Sequence, residues 1–366
     1  MNTGVFAVVS LALHEYEAVA RERLSGPVWD FLAGGSGTES MLSAGREALD
    51  RIRLRPRCLV DVSDCDPRTS LLGADLAAPL GIAPMAYHQL AHTDGELATA
   101  RAAGEVGALF TVSMFASRTL EDIAAEATGP LWLQLYWLKR RELMIDLVRR
   151  AEAAGYRALV LTVDAPRVAH RRRDARNGFA VPAGIRAVNV DPSVMSASHV
   201  DEPGESAIAR HSREQFDASI TWEDLAWLRE RTSLPLVVKG LLTKEDAELA
   251  LKHGVDGIVV SNHGGRQLDF AQPAMEALPE IVEVVSGRCP VILDGAVRHG
   301  ADIAKALCLG ADSVFVGRPV LWGLVHSGSV GAADVLRTLM EEFEEVMALM
   351  GVPRVRLFGP SGVTRQ

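Results

Sequence analysis

Cysteine is scarce in this chain: four residues in 366, Cys58, Cys65, Cys289 and Cys308. None forms a C-x-x-C pair and none sits near a histidine at metal-ligand spacing. Neither a metal site nor a disulfide framework is expected, and the thiols read as reduced groups of a cytoplasmic protein. Positive charge is not in excess either. The formal net charge is −9, which removes the general electrostatic pull on nucleic acid. The local clusters from Arg51 to Arg57 and at Arg171-Arg172-Arg173 read mostly as solvated or structural. No run approaches the roughly 20 apolar residues that span a bilayer, so no membrane partner is expected. Val5 to Leu13 is apolar but short, with no basic residue before it and no cleavage site, unlike a signal peptide. Leu11 to Leu24 has the spacing of an amphipathic helix instead. A Gly-rich dinucleotide turn after an early strand is also missing, which disfavours a doubly wound sheet.

What is present is a quasi-repeat. Gly155 to Asp164, Gly254 to Ser261 and Gly310 to Gly317 each open on a helix-ending glycine, continue as a β-branched apolar run and close on a polar residue or a glycine. That is the αβ unit of a parallel sheet. Leu80 to Pro84, Ala108 to Ser113, Leu131 to Tyr136, Leu236 to Lys239 and Val291 to Asp294 fit the same template. Helical patterns such as Thr243 to His253 and Asp302 to Leu309 lie between them. Eight such units predict a (β/α)8 TIM barrel. Residues 1–366 read as a single domain: 1–75 as an N-terminal helical cap, 76–330 as the barrel, 331–366 as a C-terminal helix and tail. The stretch 183–218, after the fourth strand, reads as a long lid-like loop. Gly34-Gly35-Ser36-Gly37 reads as a loop between two cap helices.

Barrel active sites lie at the C-terminal ends of the strands, and here every strand ends in polar or ionisable residues or a ligand-compatible turn. The fullest example is Ser261-Asn262-His263-Gly264-Gly265-Arg266-Gln267-Leu268-Asp269, directly after the apolar run Gly257 to Val260. A base beside a fixed cation suits an anionic substrate that must lose a proton. His263 is the base candidate, with an ordinary pKa of about 6.5, and Asp164 could orient its ring. Asp294-Gly295-Ala296-Val297-Arg298 and Gly317-Arg318 follow the last two strands, where this fold usually binds phosphate. Lys239 could form a Schiff base, supply positive charge to a ring that becomes anionic, or pair with a core carboxylate. The other histidines, including His170 and His211, read as structural or surface residues.

The run from Ser261 to Asp269 resembles the active-site signature of the FMN-dependent α-hydroxy-acid oxidases and dehydrogenases. The resemblance extends from about Glu15 to Met347 through Gln134-Leu135-Tyr136, Thr162-Val163-Asp164, Val238-Lys239-Gly240 and Gly317-Arg318-Pro319. Asp30 to Gly37, Trp132 to Trp137 and Arg176 to Pro182 are most similar to the 4-hydroxymandelate oxidases of antibiotic biosynthesis. The resemblance implies FMN as cofactor, a small 2-hydroxy acid and O2 as reactants, and a homo-oligomer, commonly a tetramer. It implies catalytic roles for His263, Asp164, Lys239 and Tyr136, and substrate contacts from Arg171, Arg266, Tyr136 and Phe31. The implied flavin contacts are Pro84, Ala86, Ser113, Gln134, Thr162, Lys239 and Ser261. Asp294, Gly295, Arg298, Gly317 and Arg318 would take the ribityl chain and phosphate.

Three departures stand out. Phe31 occupies a position where the glycolate and lactate enzymes have tyrosine. Ala165 replaces a common threonine, and Ala169-His170 a more usual Gly-Arg. With Tyr87 and Phe115 nearby, Phe31 points to an aryl substrate. The expectation is oxidation of (S)-4-hydroxymandelate or mandelate to the 2-oxo acid with release of hydrogen peroxide. The alternatives are a lactate- or glycolate-type oxidase or dehydrogenase, a Schiff-base aldolase built on Lys239, and a non-catalytic phosphate-binding barrel.

Overall fold

The computed structural model describes residues 11–190 and 207–365. The eight expected strands form as Leu80–Ile82 (β1), Leu109–Ser113 (β2), Leu131–Leu135 (β3), Leu159–Thr162 (β4), Leu236–Leu241 (β5), Gly257–Val260 (β6), Val291–Asp294 (β7) and Ser313–Val316 (β8). Each is hydrogen-bonded to its sequence neighbour, and β8 returns to β1, closing a parallel barrel. Almost every strand residue is buried, which is why these strands read as unbroken apolar runs and not as alternating ones. Leu109, Trp132, Val160, Val237, Val259, Ile292 and Phe315 pack in one interior cluster. Gly81 is small because a Cβ there would lie 2.6 Å from the Phe315 ring.

The cap consists of Leu13–Arg23 (α1), Gly26–Ala33 (α2) and Ser40–Asp50 (α3). It is not purely helical. Ile52–Leu54 pairs antiparallel with Val363–Arg365 of the tail, and Thr69–Leu71 forms a hairpin with Ala74–Leu76. Three-residue strands carry no periodicity to read. Around the barrel run Glu96–Glu105 (α4), Leu120–Glu126 (α5), Arg141–Ala153 (α6), Arg172–Asn177 (α7), Ala207–Gln215 (α8), Asp224–Arg229 (α9), Lys244–Lys252 (α10), Ala274–Val285 (α11), Gly300–Cys308 (α12) and Arg318–Met350 (α13).

Two elements differ from expectation. The final helix starts at Arg318, not Gly331, with non-helical backbone only at Ser327 and Gly328. Pro319 lies in its first turn, where a missing N–H costs nothing. Much of the lid-like loop, residues 191–206, lies outside the described residues, but its later part is the helix α8. No described helix is long and apolar enough to cross a membrane. The four cysteines are unpaired, and no cluster among the described residues could hold a metal ion.

Candidate active site

The turn after β6 is strained. His263, Gly264 and Gly265 have φ of 58°, 62° and 75°, and a histidine in that region costs energy that its surroundings must offset. Three contacts hold it: Ser261 Oγ accepts from the His263 N–H at 3.0 Å, the Gly265 carbonyl accepts from Ser36 N at 2.9 Å, and Asp164 takes the ring. His263 Nδ1 lies 2.8 Å from Asp164 Oδ1. Donation from Nδ1–H fixes the tautomer and leaves the Nε2 lone pair facing the cleft, 3.4 Å from Tyr136 Oη. Burial pushes the His263 pKa below its usual value, although Asp164 pulls it back. For Asp164 burial acts upward, but the attraction of His263 and Lys239 wins and the carboxyl is held below its ordinary range. Asp164 can lie against β5 because residue 240 is glycine: φ is +113°, and a Cβ would stand 2.6 Å from the aspartate side chain.

A polar row crosses the barrel mouth. Ser113 Oγ donates to Gln134 Oε1 at 3.1 Å, and Gln134 Nε2 donates to Thr162 Oγ1 at 3.0 Å. Thr162 is paired in register with Lys239. Lys239 Nζ donates to Ser261 Oγ at 2.8 Å and pairs with Asp294 Oδ2 at 3.0 Å. An amine held in this way presents no free lone pair, which counts against the Schiff-base aldolase. Asp294 Oδ1 is buried without a hydrogen-bond partner among the described residues, a position that a ribityl hydroxyl would satisfy. Pro84 and Ala86 line the same cleft beyond β1.

At the far end, Gly295, Arg298, Gly317 and Arg318 line the cleft together. Gly317 caps the N-terminus of α13, where backbone N–H groups and the helix dipole favour an anion. The Arg298 guanidinium lies 4.9 Å over the Trp322 ring. Arg318 donates to the carbonyls of Leu32, Gly34 and Gly264, which leaves two of a guanidinium's five donors. Burial, with Arg298 and Arg171 nearby, lowers its pKa to about 10. This donor set fits a flavin mononucleotide: a polar row for the ring, an open carboxylate oxygen for the chain, and arginines at a helix start for the phosphate.

Nothing in the sequence pointed to the clamp behind that end. Arg46 of α3 pairs with both Asp302 oxygens at 2.5 and 2.8 Å and donates to the Ala296 carbonyl at 3.1 Å. Asp302 in turn accepts from the N–H groups of Arg298 and His299 at 2.9 and 3.1 Å. The Asp302 side chain is 1% exposed, so Arg46→Met leaves a buried carboxylate whose remaining counter-charge is Lys305 at 3.7 Å, beside the two backbone N–H donors. We expect a loss of roughly 3 kcal/mol, visible as a lower thermal midpoint with and without FMN.

The signature also binds the cap. Asp269 accepts from Thr38 N, Thr38 Oγ1 and Ser40 Oγ, each at 2.7 Å, at the start of α3. A Cβ on Gly37 would lie 2.6 Å from Asp269, and one on Gly35 would lie 2.8 Å from the Gly265 carbonyl. Gly34-Gly35-Ser36-Gly37 is therefore the surface on which the signature packs, not merely a connection between helices. Arg266 Nη1 donates to the carbonyls of Phe31 at 2.6 Å and Gly34 at 2.8 Å, at the electronegative end of α2. Its guanidinium lies 5.2 Å from the Phe31 ring centroid, and Phe31 stacks on Phe179 at 4.3 Å. Of the three consecutive arginines only Arg171 enters the cleft. Arg172 is exposed, and Arg173 pairs with Glu39 at 2.5 Å and Asp30 at 3.5 Å.

An aromatic wall completes the cleft. Phe216 stacks on Tyr136 at 4.8 Å and on Phe115 at 6.1 Å, and His211 meets Phe115 edge-on at 5.6 Å. His211, read as structural or surface, is a buried residue of this wall and lines the cleft. Both it and Phe216 were hidden in the segment read as a loop. Of the expected site residues, Asp164, Thr162 and Ser261 sit behind the surface, bonded to His263, Gln134 and Lys239; the others line the cleft. The space between atoms there is about 1320 Å³, with the solvent of the open mouth included.

Residues 20–365 match the model of a family described as FMN-dependent dehydrogenase. The chain is 48% identical to a 4-hydroxymandelate oxidase of Amycolatopsis orientalis, over 94% of this chain and 96% of that one. It is 46% identical to an L-lactate oxidase of a Nostoc species, over 94% and 95% of the two chains, and 44% identical to a glycolate oxidase of Spinacia oleracea, over 93% and 91%. A crystal structure of a mandelate oxidase with (S)-4-hydroxymandelic acid superposes with a TM-score of 0.93 at 46% identity, covering 97% of this chain and 98% of the other. With barrel, histidine–arginine turn and polar-lined cleft in one molecule, a match of that extent makes the chain a member of the FMN-dependent dehydrogenase family.

Proposed function

We propose that this enzyme oxidises an (S)-2-hydroxy acid with an aryl side chain, 4-hydroxymandelate or mandelate, to the 2-oxo acid, with O2 reduced to hydrogen peroxide. The observation that carries the reading is a histidine whose Nε2 faces a cleft lined also by the guanidinium groups of Arg171 and Arg266. Arg171 and Arg266 would hold the substrate carboxylate, for which planar guanidinium forks are suited. Tyr136 would donate to the substrate oxygen. Its phenol stays protonated because burial and the charge of Asp164 raise its pKa. His263 Nε2 would take the proton, from the α-carbon or from the hydroxyl, and Asp164 would stabilise the imidazolium that forms. Pro84, Ala86, Ser113, Gln134 and Lys239 would hold the FMN ring, with Thr162 and Ser261 behind them fixing Gln134 and Lys239, and Asp294, Gly295, Arg298, Gly317 and Arg318 on its tail. Bound FMN supplies the two-electron acceptor.

The aryl preference rests on the stacked wall of Phe115, Tyr136 and Phe216, on the Phe31–Phe179 pair, and on the likeness to the 4-hydroxymandelate and mandelate oxidases. The likeness to lactate and glycolate oxidases supports a second reading, a short-chain hydroxy-acid oxidase. An anaerobic visible spectrum separates the two: flavin bands bleached fast by (S)-4-hydroxymandelate and slowly by (S)-lactate support the first, and the reverse supports the second. Phe31→Tyr adds a polar hydroxyl to the apolar side of the cleft. It should shift the kcat/KM ratio of lactate over mandelate upward by about tenfold, the scale of one buried hydrogen-bonding group. An unchanged ratio would remove Phe31 from the specificity argument. In this reading residues 1–366 act as one functional domain, in the cytoplasm, as a homo-oligomer. Sedimentation would distinguish a tetramer from smaller assemblies.

A further inference from the structure

Asp174 lies behind the substrate arginines. It is the third residue of α7 and is 1% exposed. Its Oδ2 has no hydrogen-bond partner among the described residues, and neither has Arg171 Nε. Arg171 Nη1 stands 3.9 Å from Asp174 Oδ2, beyond hydrogen-bond range. A carboxylate that served to brace Arg171 would be expected to meet it bidentately at about 2.8 Å. Instead both groups stay buried and under-bonded, an arrangement that is costly and therefore suggests a use. Burial raises the Asp174 pKa, and the charges of Arg266 and Arg171 oppose it; Asp174 in turn acts on Arg266 as well as on Arg171. Asp30 and Glu39 also face Asp174, but both are engaged with Arg173.

We propose that Asp174 is a resident counter-charge that weakens the hold of Arg171 and Arg266 on carboxylates, so that the 2-oxo acid product leaves a cleft that would otherwise retain anions. The inference rests on the proposed function, in which those arginines bind the substrate carboxylate. Without Asp174, two guanidinium groups would meet a single carboxylate in a poorly solvated site. Affinity for product would rise together with affinity for substrate, and turnover would become limited by release.

The test uses the FMN-loaded enzyme and two unreactive probes, benzoate and neutral benzamide, titrated by the perturbation of the flavin spectrum. Asp174→Asn should bind benzoate at least about twofold more tightly, the effect even in water of removing a like charge roughly 8 Å away, across the guanidinium of Arg171. Its affinity for benzamide should not change, and KM and kcat should fall together. A merely structural aspartate predicts the opposite sign, because a displaced Arg171 would bind benzoate more weakly. Equal or weaker benzoate binding overturns the proposal. Should the asparagine variant fail to hold flavin, Asp174→Glu carries the test. It brings the charge nearer Arg171 and should weaken benzoate binding, and tighter or unchanged binding there also overturns the proposal. Arg171→Met keeps the two ideas apart: if it leaves benzoate affinity intact, the assignment of the arginines itself fails.

Discussion

Replacing His263 with glutamine should slow anaerobic bleaching of the flavin by a 2-hydroxy acid by roughly 10²–10⁴-fold, the usual worth of a positioned general base. The visible flavin spectrum should remain. Glutamine keeps the size of the ring and can still donate to Asp164, so the cleft should keep its shape while losing the one basic lone pair that faces it. The neighbours cannot substitute. Tyr136 is held protonated by burial and by Asp164, and Lys239 is occupied by Ser261 and Asp294. Bleaching within tenfold of the native rate would show that the proton leaves by another route.

The pH profile carries the same assignment. Burial lowers the His263 pKa, and Asp164 only partly restores it. Its free value is about 6.5, so before substrate binds the imidazole is mostly neutral at pH 7 and ready to accept a proton. The acid limb of kcat/KM should therefore fall below pH 6.5, with activity lost as pH drops and His263 takes a proton before substrate arrives. A limb above 6.5 would mean that the carboxylate of Asp164 outweighs burial. The glutamine variant should lack this limb.

How much of this was legible depended on distance along the chain. The barrel strands were readable because burial on both faces demands local apolar runs, such as Leu159-Val160-Leu161-Thr162. His263 and Arg266 were readable because they share a turn. Lys239 was visible as a charge ending an apolar run, but its choice of Asp294 over a free amine was not. The Arg46–Asp302 clamp joins residues 256 positions apart, and neither residue is unusual where it stands. Phe216 and His211 were obscured because α8 lies in a stretch rich in charge, with Arg210, Arg213 and Glu214. Of the seven helix residues whose burial is described, three are buried: Ala207, His211 and Ser212. The pairing of Ile52–Leu54 with Val363–Arg365 joins the segment after α3 to the C-terminal tail, and no local pattern announces such a contact. Gly34-Gly35-Ser36-Gly37 was seen, and its purpose became clear only when Gly265 and Asp269 were found packed against it.

The three consecutive arginines give the sharpest remaining test, because only the family resemblance, and no local pattern, singles out Arg171 among them. Arg171→Met should lower kcat/KM for the hydroxy acid by roughly 30-fold to several thousandfold, the equivalent of about 2–5 kcal/mol for truncating one side of a desolvated charge pair. Most of the loss should appear in KM, since a carboxylate is held alike in ground and transition states. Arg172→Met, on the exposed face of α7, should stay within about twofold, because isolated surface charges contribute little. Arg171→Lys should fall between, since an ammonium keeps the charge but loses the planar fork. The chemistry of the loss can be read directly by comparing mandelate with its methyl ester. The native enzyme should strongly prefer the acid, and Arg171→Met should discriminate far less, because what it lacks is a partner for the carboxylate and not a wall for the ring. If the variant kept the native preference, Arg266 alone would be binding the carboxylate from its perch on the carbonyls of Phe31 and Gly34, and the buried, unbonded guanidinium of Arg171 would need another explanation.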